Sequence, residues 1–365
     1  MRICVVGAGL AGTLLAWRLA AHPEVRVTLL ADSTRHDATA ASGGLVRAFE
    51  RDPDTARLSA LSLAELRSGR VLREWAGYRP GTSLYVLADG GRQGPGLAAL
   101  PPSAELLQPP RLAAEFGFRR LPEGAVGVLE HSAGHISPDG LRRAVLADLA
   151  ARGAAVRMGR LRALTAVDGP EGTLHYRTGT GPGTADALVL ATGAWTARLL
   201  HSLGFAADAA RWRTKVIQCA VHHAGGLLPP AFVDETTGLY GRPAGPGRML
   251  LGLPTERWGA GPGTARFLGR EESAVRAAAA RRLPGLSLGR VLRTVVAVDS
   301  YGPAGRLGLV PVPGGPGRLF AFTGGSGGSA KLALAASREA ADGLLARLAH
   351  PVPVPSTAST RRETS

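Results

Sequence analysis

Ile3-Cys-Val-Val-Gly-Ala-Gly-Leu-Ala-Gly12 is the stretch on which the fold turns. A short β-branched apolar run reads as a buried strand, glycines 7, 9 and 12 follow, and TLLAWRLAAH (residues 13–22) then carries leucines at helical spacing. In a strand–turn–helix unit each glycine has a physical task. Gly7 permits the tight turn, Gly9 lets backbone approach a pyrophosphate, and Gly12 lets the helix pack on the strand. The helix N-terminus then offers free N–H groups to phosphate. A second apolar run, residues 25–30, ends in Ala31-Asp32. An acidic side chain there, about 20 residues beyond the glycines, accepts hydrogen bonds from ribose hydroxyls. The pattern predicts a dinucleotide-binding α/β unit without separating NAD from FAD.

The 365 residues imply two lobes or one large discontinuous α/β unit. A net charge of +15 raises nucleic acid and anionic membrane as partners. Against this, the arginines are scattered from Arg2 to Arg362, aromatics are sparse for base stacking, and no zinc-finger or basic-zipper spacing occurs. The charge reads as solvated surface, so neither nucleic acid nor membrane is an expected partner. Cys4 and Cys219 lie in apolar runs and behave as small hydrophobes, which excludes a disulfide framework. With no apolar run of membrane-spanning length and no leader ahead of the first strand, a cytoplasmic location is expected. The pair His222-His223 would point to opposite faces of a strand, which argues against a metal site.

Further blocks separate the two dinucleotides. ASGGLVRAFE (residues 41–50) is a small-residue loop that backbone geometry lets approach a flat ring. HISPDGLRRAVLADLAARGAAV (residues 135–156) reads as an amphipathic helix feeding a strand, and DALVLATGAW (residues 186–195) as a buried strand ending in glycine. TGGSGGSAK (residues 323–331) precedes a helical run and holds Lys331, which with Lys215 makes up all the lysine among 43 basic residues. Lys215 itself reads as a strand-edge or surface residue. The chain returns to the nucleotide lobe twice, which suits a long dinucleotide.

Together these blocks resemble, in order and spacing over most of residues 1–350, the glycine oxidase, D-amino-acid oxidase and sarcosine oxidase group of FAD-dependent oxidoreductases. The resemblance implies an α/β fold with an FAD-binding, Rossmann-like lobe of the glutathione reductase type and a second lobe on an antiparallel sheet. Residues 1–80, 135–205 and 305–350 would form the discontinuous FAD-binding domain, 81–134 and 206–304 the substrate domain, and 351–365 a disordered tail. FAD would be held by Gly7, Ala8, Gly9, Leu10, Ala11 and Gly12, by Asp32 and Ser33, and by Ser42, Gly43, Gly44 and Leu45. The set continues with Leu161, with Thr192, Gly193 and Trp195, and with Gly324, Gly325, Ser326, Gly327 and Gly328. Lys331 and Arg47 would face a substrate carboxylate, and Tyr240 of YGRP would line the substrate site.

Three departures from the group's pattern matter. Leu250 stands where sarcosine oxidases carry an oxygen-activating lysine, which puts fast oxidase turnover in question. Asp299 falls near the place of a carboxylate-binding arginine, and an acid there favours an ammonium over a carboxylate. No cysteine lies near the flavin attachment position, so the FAD should be noncovalent. The expected activity is oxidation of a carbon–nitrogen bond of an amine or amino acid to an imine by hydride transfer to flavin. Molecular oxygen or another acceptor would take the electrons. The alternative is an FAD-dependent dehydrogenase of a 2-hydroxy acid or other alcohol; a nicotinamide-dependent enzyme is disfavoured by the later blocks.

Overall fold

The computed structural model describes residues 1–32, 37–88, 100–166 and 172–349. Ser33 and the tail 351–365 therefore lie outside the described residues.

A six-stranded sheet runs in the order Gly308–Pro311, Leu319–Thr323, Ala187–Leu190, Arg2–Val6, Arg26–Ala31, Ala155–Met158. All neighbours are parallel except the first pair, which is antiparallel. Strands far apart in sequence thus meet in one sheet, and the first strand takes a central place. Its side chains alternate between two cores, as the two-residue strand period requires. Ile3 and Val5 join the cluster under the helices Leu10–Leu19, Pro53–Ser68, Pro138–Ala151 and Ser329–Ala349, while Cys4 and Val6 face Leu161, Leu174 and Tyr176 on the other side. Both faces being covered explains why ICVV, ALVL and LFAFT are continuously apolar.

A second sheet of eight strands has the order Leu286–Tyr301, Arg213–Gly226, Arg248–Gly252, Tyr240–Pro243, Ala231–Asp234, Ser83–Leu87, Val126–Glu130, Ala104–Leu107. It is antiparallel except where Ala231–Asp234 runs parallel to Ser83–Leu87. The two strands of that exception come from distant segments, so no hairpin sets their direction. The long pair Arg213–Gly226 and Leu286–Tyr301 ends against the first sheet, where Tyr301 bridges to Gly325. The block at 41–50 is less of a loop than its composition suggests. A one-turn helix, Ala38–Ala41, capped by Asp37 through the Ala40 N–H, precedes a two-residue strand at Leu45–Val46.

Candidate active site

The Gly7–Gly12 turn is as tight as its glycines suggest. A Cβ on Gly12 would lie 2.0 Å from the Gly7 carbonyl oxygen and 2.8 Å from Ala191 Cβ, and Gly7 itself has φ +114°. Gly9 differs, because a Cβ there would meet nothing nearer than Thr39 Oγ1 at 3.6 Å. The helix Leu10–Leu19 begins at Gly9 with no capping side chain there and no acid in its first turn; Thr39 Oγ1 accepts from the Leu10 N–H at 3.0 Å. Its positive end therefore remains largely unneutralised toward the space in front of it.

That space is a cavity of about 710 Å³. Its walls include Gly7, Ala8, Gly9, Leu10, Ala11, Asp32, Ser42, Leu161, Thr192, Gly193, Trp195, Gly324, Gly325, Ser326 and Gly327 of the sequence-predicted cofactor set. Gly12, Gly43, Gly44, Leu45 and Gly328 are not in its walls. Gly12 is buried under the turn, and the Gly43 carbonyl accepts from Arg242 Nε at 2.6 Å. Asp32 is bound by Arg160 through Nε at 2.8 Å and through the guanidinium NH2 at 2.7 Å, both on Oδ2. Both contacts leave Oδ1 without a donor among the described residues.

At the far end stands Asp299, only 3% exposed, against Ile217, Val298 and Ser300. A Cβ on Gly327 would lie 2.8 Å from its Oδ2. Burial pushes its carboxyl up to about 7, with no cation near enough to oppose the shift. Ser326, beside it, takes a left-handed φ of 58°, rare for a residue with a Cβ. Cys4 and Cys219 are buried and free, and burial pushes their thiols up to about 12 and about 11, so neither is a reactive thiolate.

The structure gives three other singled-out groups these surroundings. Arg47 and Lys331 do come together, but on a carboxylate of the chain itself: Glu50 Oε1 lies 2.5 Å from Lys331 Nζ and 2.9 Å from the Arg47 guanidinium. Arg47 also lies over the Tyr85 ring at 4.6 Å and donates to the Phe49 carbonyl at 3.0 Å. Neither cation lines the cavity; Glu50 offsets one of the two positive charges, and one guanidinium nitrogen of Arg47 has no hydrogen-bond partner among the described residues. Tyr240 is in the second sheet with its hydroxyl 3.4 Å from the Gln218 carbonyl, and it too lies outside the cavity wall. It packs with Leu250, Cys219 and Val221, because the strand pairing turns this face into an apolar cluster. Lys215 is neither at an edge nor on the surface. Its strand has neighbours on both sides, its side chain is 13% exposed, and Nζ lies 3.2 Å from Glu256 and 4.7 Å from the centre of the Trp258 ring.

Sequence reading missed the arginines that line the cavity among the described residues, namely Arg142, Arg143, Arg160, Arg162 and Arg198. Arg142 and Arg143 sit in the HISPDGLRR block, where a double arginine one turn into a helix was a usable signal. Arg160 carried none, since only the sheet brings Met158 and its successors beside Ala31. Arg142 pairs with Asp37 and Asp139. Arg143 pairs with Asp139 and Arg160 with Asp32, which leaves Arg162 and Arg198 without an ion pair among the described residues and the lining with a surplus of positive charge. Among the described residues no group of three or more His, Cys, Asp or Glu could hold a metal, and no helix is long and apolar enough to cross a membrane.

The family model described as FAD dependent oxidoreductase matches residues 2–343. No curated protein matches the chain. Among solved structures it is similar to glycine oxidase from Geobacillus kaustophilus, at 20% identity and a TM-score of 0.73, with 100% of both chains covered. It is likewise similar to L-proline dehydrogenase from P. horikoshii, at 16% identity and 0.76, covering 93% of this chain and 92% of that one. Iminodiacetate oxidase from Chelativorans sp. BNC1 matches at 20% identity and 0.70, with 97% of both chains covered.

Proposed function

Because the chain belongs to the FAD dependent oxidoreductase family, we propose that it oxidises a carbon–nitrogen bond of an amine or amino acid, with FAD held noncovalently in this cavity. The observation that carries the reading is the cavity's continuity. It runs from the uncapped helix start at Gly9 and from Asp32 to the Gly324–Gly327 turn and Asp299, a span suited to a long dinucleotide rather than a mononucleotide.

The residues fit the cofactor chemically. Backbone N–H groups at Ala11 and its neighbours would hold the pyrophosphate, Asp32 Oδ1 would accept from ribose hydroxyls, and the cavity's surplus of arginine would offset the negative charge. Gly9 has room on its own side for a Cβ, so the demand for glycine there comes from the ligand. When bound, the flavin supplies the two-electron acceptor for the substrate's hydride, leaving an imine. The chain's part is to place the substrate against that acceptor and to keep water from the small-residue end of the cavity. In this reading the six-stranded sheet and its helices form a lobe of the glutathione reductase type from residues 1–80, 135–205 and 305–350. The eight-stranded sheet supplies the substrate lobe from 81–134 and 206–304. Oxygen or another acceptor closes the cycle.

An absorbance spectrum of the purified protein, followed by anaerobic titration with amines, amino acids and hydroxy acids, tests this. Flavin bands bleached by a compound with an oxidisable carbon–nitrogen bond are expected. Bleaching by hydroxy acids alone would overturn the substrate class, and a protein that takes up no FAD would overturn the site.

A further inference from the structure

The cavity wall holds three described carboxylates, and two of them are answered by the protein. Asp32 is bound by Arg160 and Asp37 by Arg142. Asp299 is not: among the described residues it has no ion pair, its Oδ2 has no hydrogen-bond partner, and it is nearly inaccessible from outside.

The groups packed around Asp299 are turned elsewhere. Lys215 stands directly opposite it in the strand register, yet its Nζ goes to Glu256 and the Trp258 ring. Arg213, two residues earlier on that strand, lies over Trp258 at 4.2 Å. Lys331, on the helix that follows Gly327, is held by Glu50. Tyr240 and Tyr301 face it as uncharged phenols, and both are pushed up, chiefly by burial and further by the Asp299 charge. Its chain neighbours Val298 and Ser300, and Ile217 on the paired strand, line the cavity beside it and bring no cation. Among the described residues the cavity's arginines come from residues 142–198, none from the strand that carries Asp299.

A buried carboxylate without a partner is costly, and a ligand that brings the missing cation removes that cost. We propose that Asp299 binds the substrate's ammonium group and accepts one of its protons, leaving the neutral amine whose lone pair assists hydride loss, and that the preferred substrates are alkyl amines with no carboxylate beside the reacting carbon. This rests on the reading of the cavity as the site of FAD-dependent carbon–nitrogen oxidation. An α-carboxylate brought to the same place would meet like charge in an apolar wall, so the acid both attracts amines and repels amino acids. A small rotation of the carboxyl about its last bond, which is a soft torsion, presents either oxygen to the ligand. Burial alone pushes the group up to about 7, so its cation-binding form is lost as pH falls below that.

The test uses FAD-loaded wild type and Asp299→Asn, with butylamine and putrescine against glycine and sarcosine, read by anaerobic flavin bleaching and by kcat/KM against pH. Wild type is expected to favour the carboxylate-free amines, with kcat/KM falling about tenfold per pH unit below about pH 7. Asp299→Asn should lose on the order of 100-fold on those amines and lose that acid limb, with FAD content unchanged. A wild type that favours glycine or sarcosine overturns the inference while leaving the flavin reading intact. So does a variant that keeps its ranking and pH profile, or one that sheds FAD, which would make Asp299 a cofactor contact. A protein with no flavin at all overturns the reading beneath it, and is told apart by its colourless spectrum.

Discussion

Lys331 Nζ and the Arg47 guanidinium converge on one oxygen, Glu50 Oε1, at 2.5 Å and 2.9 Å. Burial alone would push the Glu50 carboxyl up, but the two cations outweigh it and hold the group below its ordinary range. The triad ties the start of the last helix to the segment after Leu45–Val46, and through Tyr85 to the second sheet. Glu50→Gln leaves two buried cations facing a neutral amide and is expected to cost about 3–5 kcal/mol. Lys331→Met leaves the Arg47 pair intact and should cost less, about 1–3 kcal/mol. Urea unfolding of the FAD-loaded proteins measures both. Because the folded Glu50 pKa is depressed, its contribution is present above its unfolded value of about 4.3 and is lost as pH falls through the lower folded value. Equal stabilities for wild type and Glu50→Gln would show that the triad holds nothing together.

Gly12 and Gly9 should fail in different ways. Gly12→Ala drives a methyl into the Gly7 carbonyl, a backbone atom that cannot swing aside, so soluble yield and melting temperature should fall together. Gly9→Ala meets only Thr39 Oγ1 at van der Waals distance, so the folded protein should survive and lose FAD affinity instead. Circular dichroism melts beside the flavin-to-protein absorbance ratio separate the two. A Gly9→Ala variant with wild-type FAD content would remove the close-approach argument.

The parts of this fold that were legible in the sequence are those set by local geometry. Glycine turns, continuous apolar strands and a strand-ending acid are short-range signals, and Gly7, Asp32, Gly193 and Gly327 all reached the cavity wall. Long-range charge pairing was not legible. Lys331 and Arg47 have the chemistry of carboxylate binders, and nothing local reveals that Glu50, three residues after Arg47, takes both. Arg160 reaches Asp32 across 128 residues of chain because two strands happen to be neighbours. Tyr240 and Leu250 belonged to a motif, but the sheet pairing aimed them into an apolar cluster rather than the cavity.

Asp32→Ala removes the ribose acceptor and frees Arg160 in one step. FAD affinity is expected to fall by roughly tenfold to a hundredfold, since an acceptor pair to hydroxyls is lost. The exposed Asp32–Arg160 pair adds little stability of its own, so the unfolding midpoint measured without FAD should barely move. Equilibrium dialysis against FAD checks the first expectation, and unchanged affinity would place the ribose elsewhere.

Asp299 gives the substrate-free protein a pH signature. Its folded pKa, pushed up by burial to about 7, lies above the unfolded value of about 3.9. The protonated group is therefore compatible with folding below the lower value, and stability is lost as pH rises from there through about 7. Asp299→Asn should flatten that slope and be the more stable protein near about pH 8 when no amine is present. Thermal melts of both proteins across this range provide the comparison. A steeper slope in the variant would mean that Asp299 is ionised and paired in the folded state.

The central claim is that the cavity between the Gly7–Gly12 turn and Asp299 holds FAD without a covalent bond. Acid precipitation of the purified protein, with the spectrum of pellet and supernatant read separately, tests it most directly. The account predicts a yellow protein whose flavin passes wholly to the supernatant as FAD, in about one equivalent per chain. Flavin retained in the pellet would contradict the noncovalent assignment, and a colourless protein that also fails to take up added FAD would contradict the site itself.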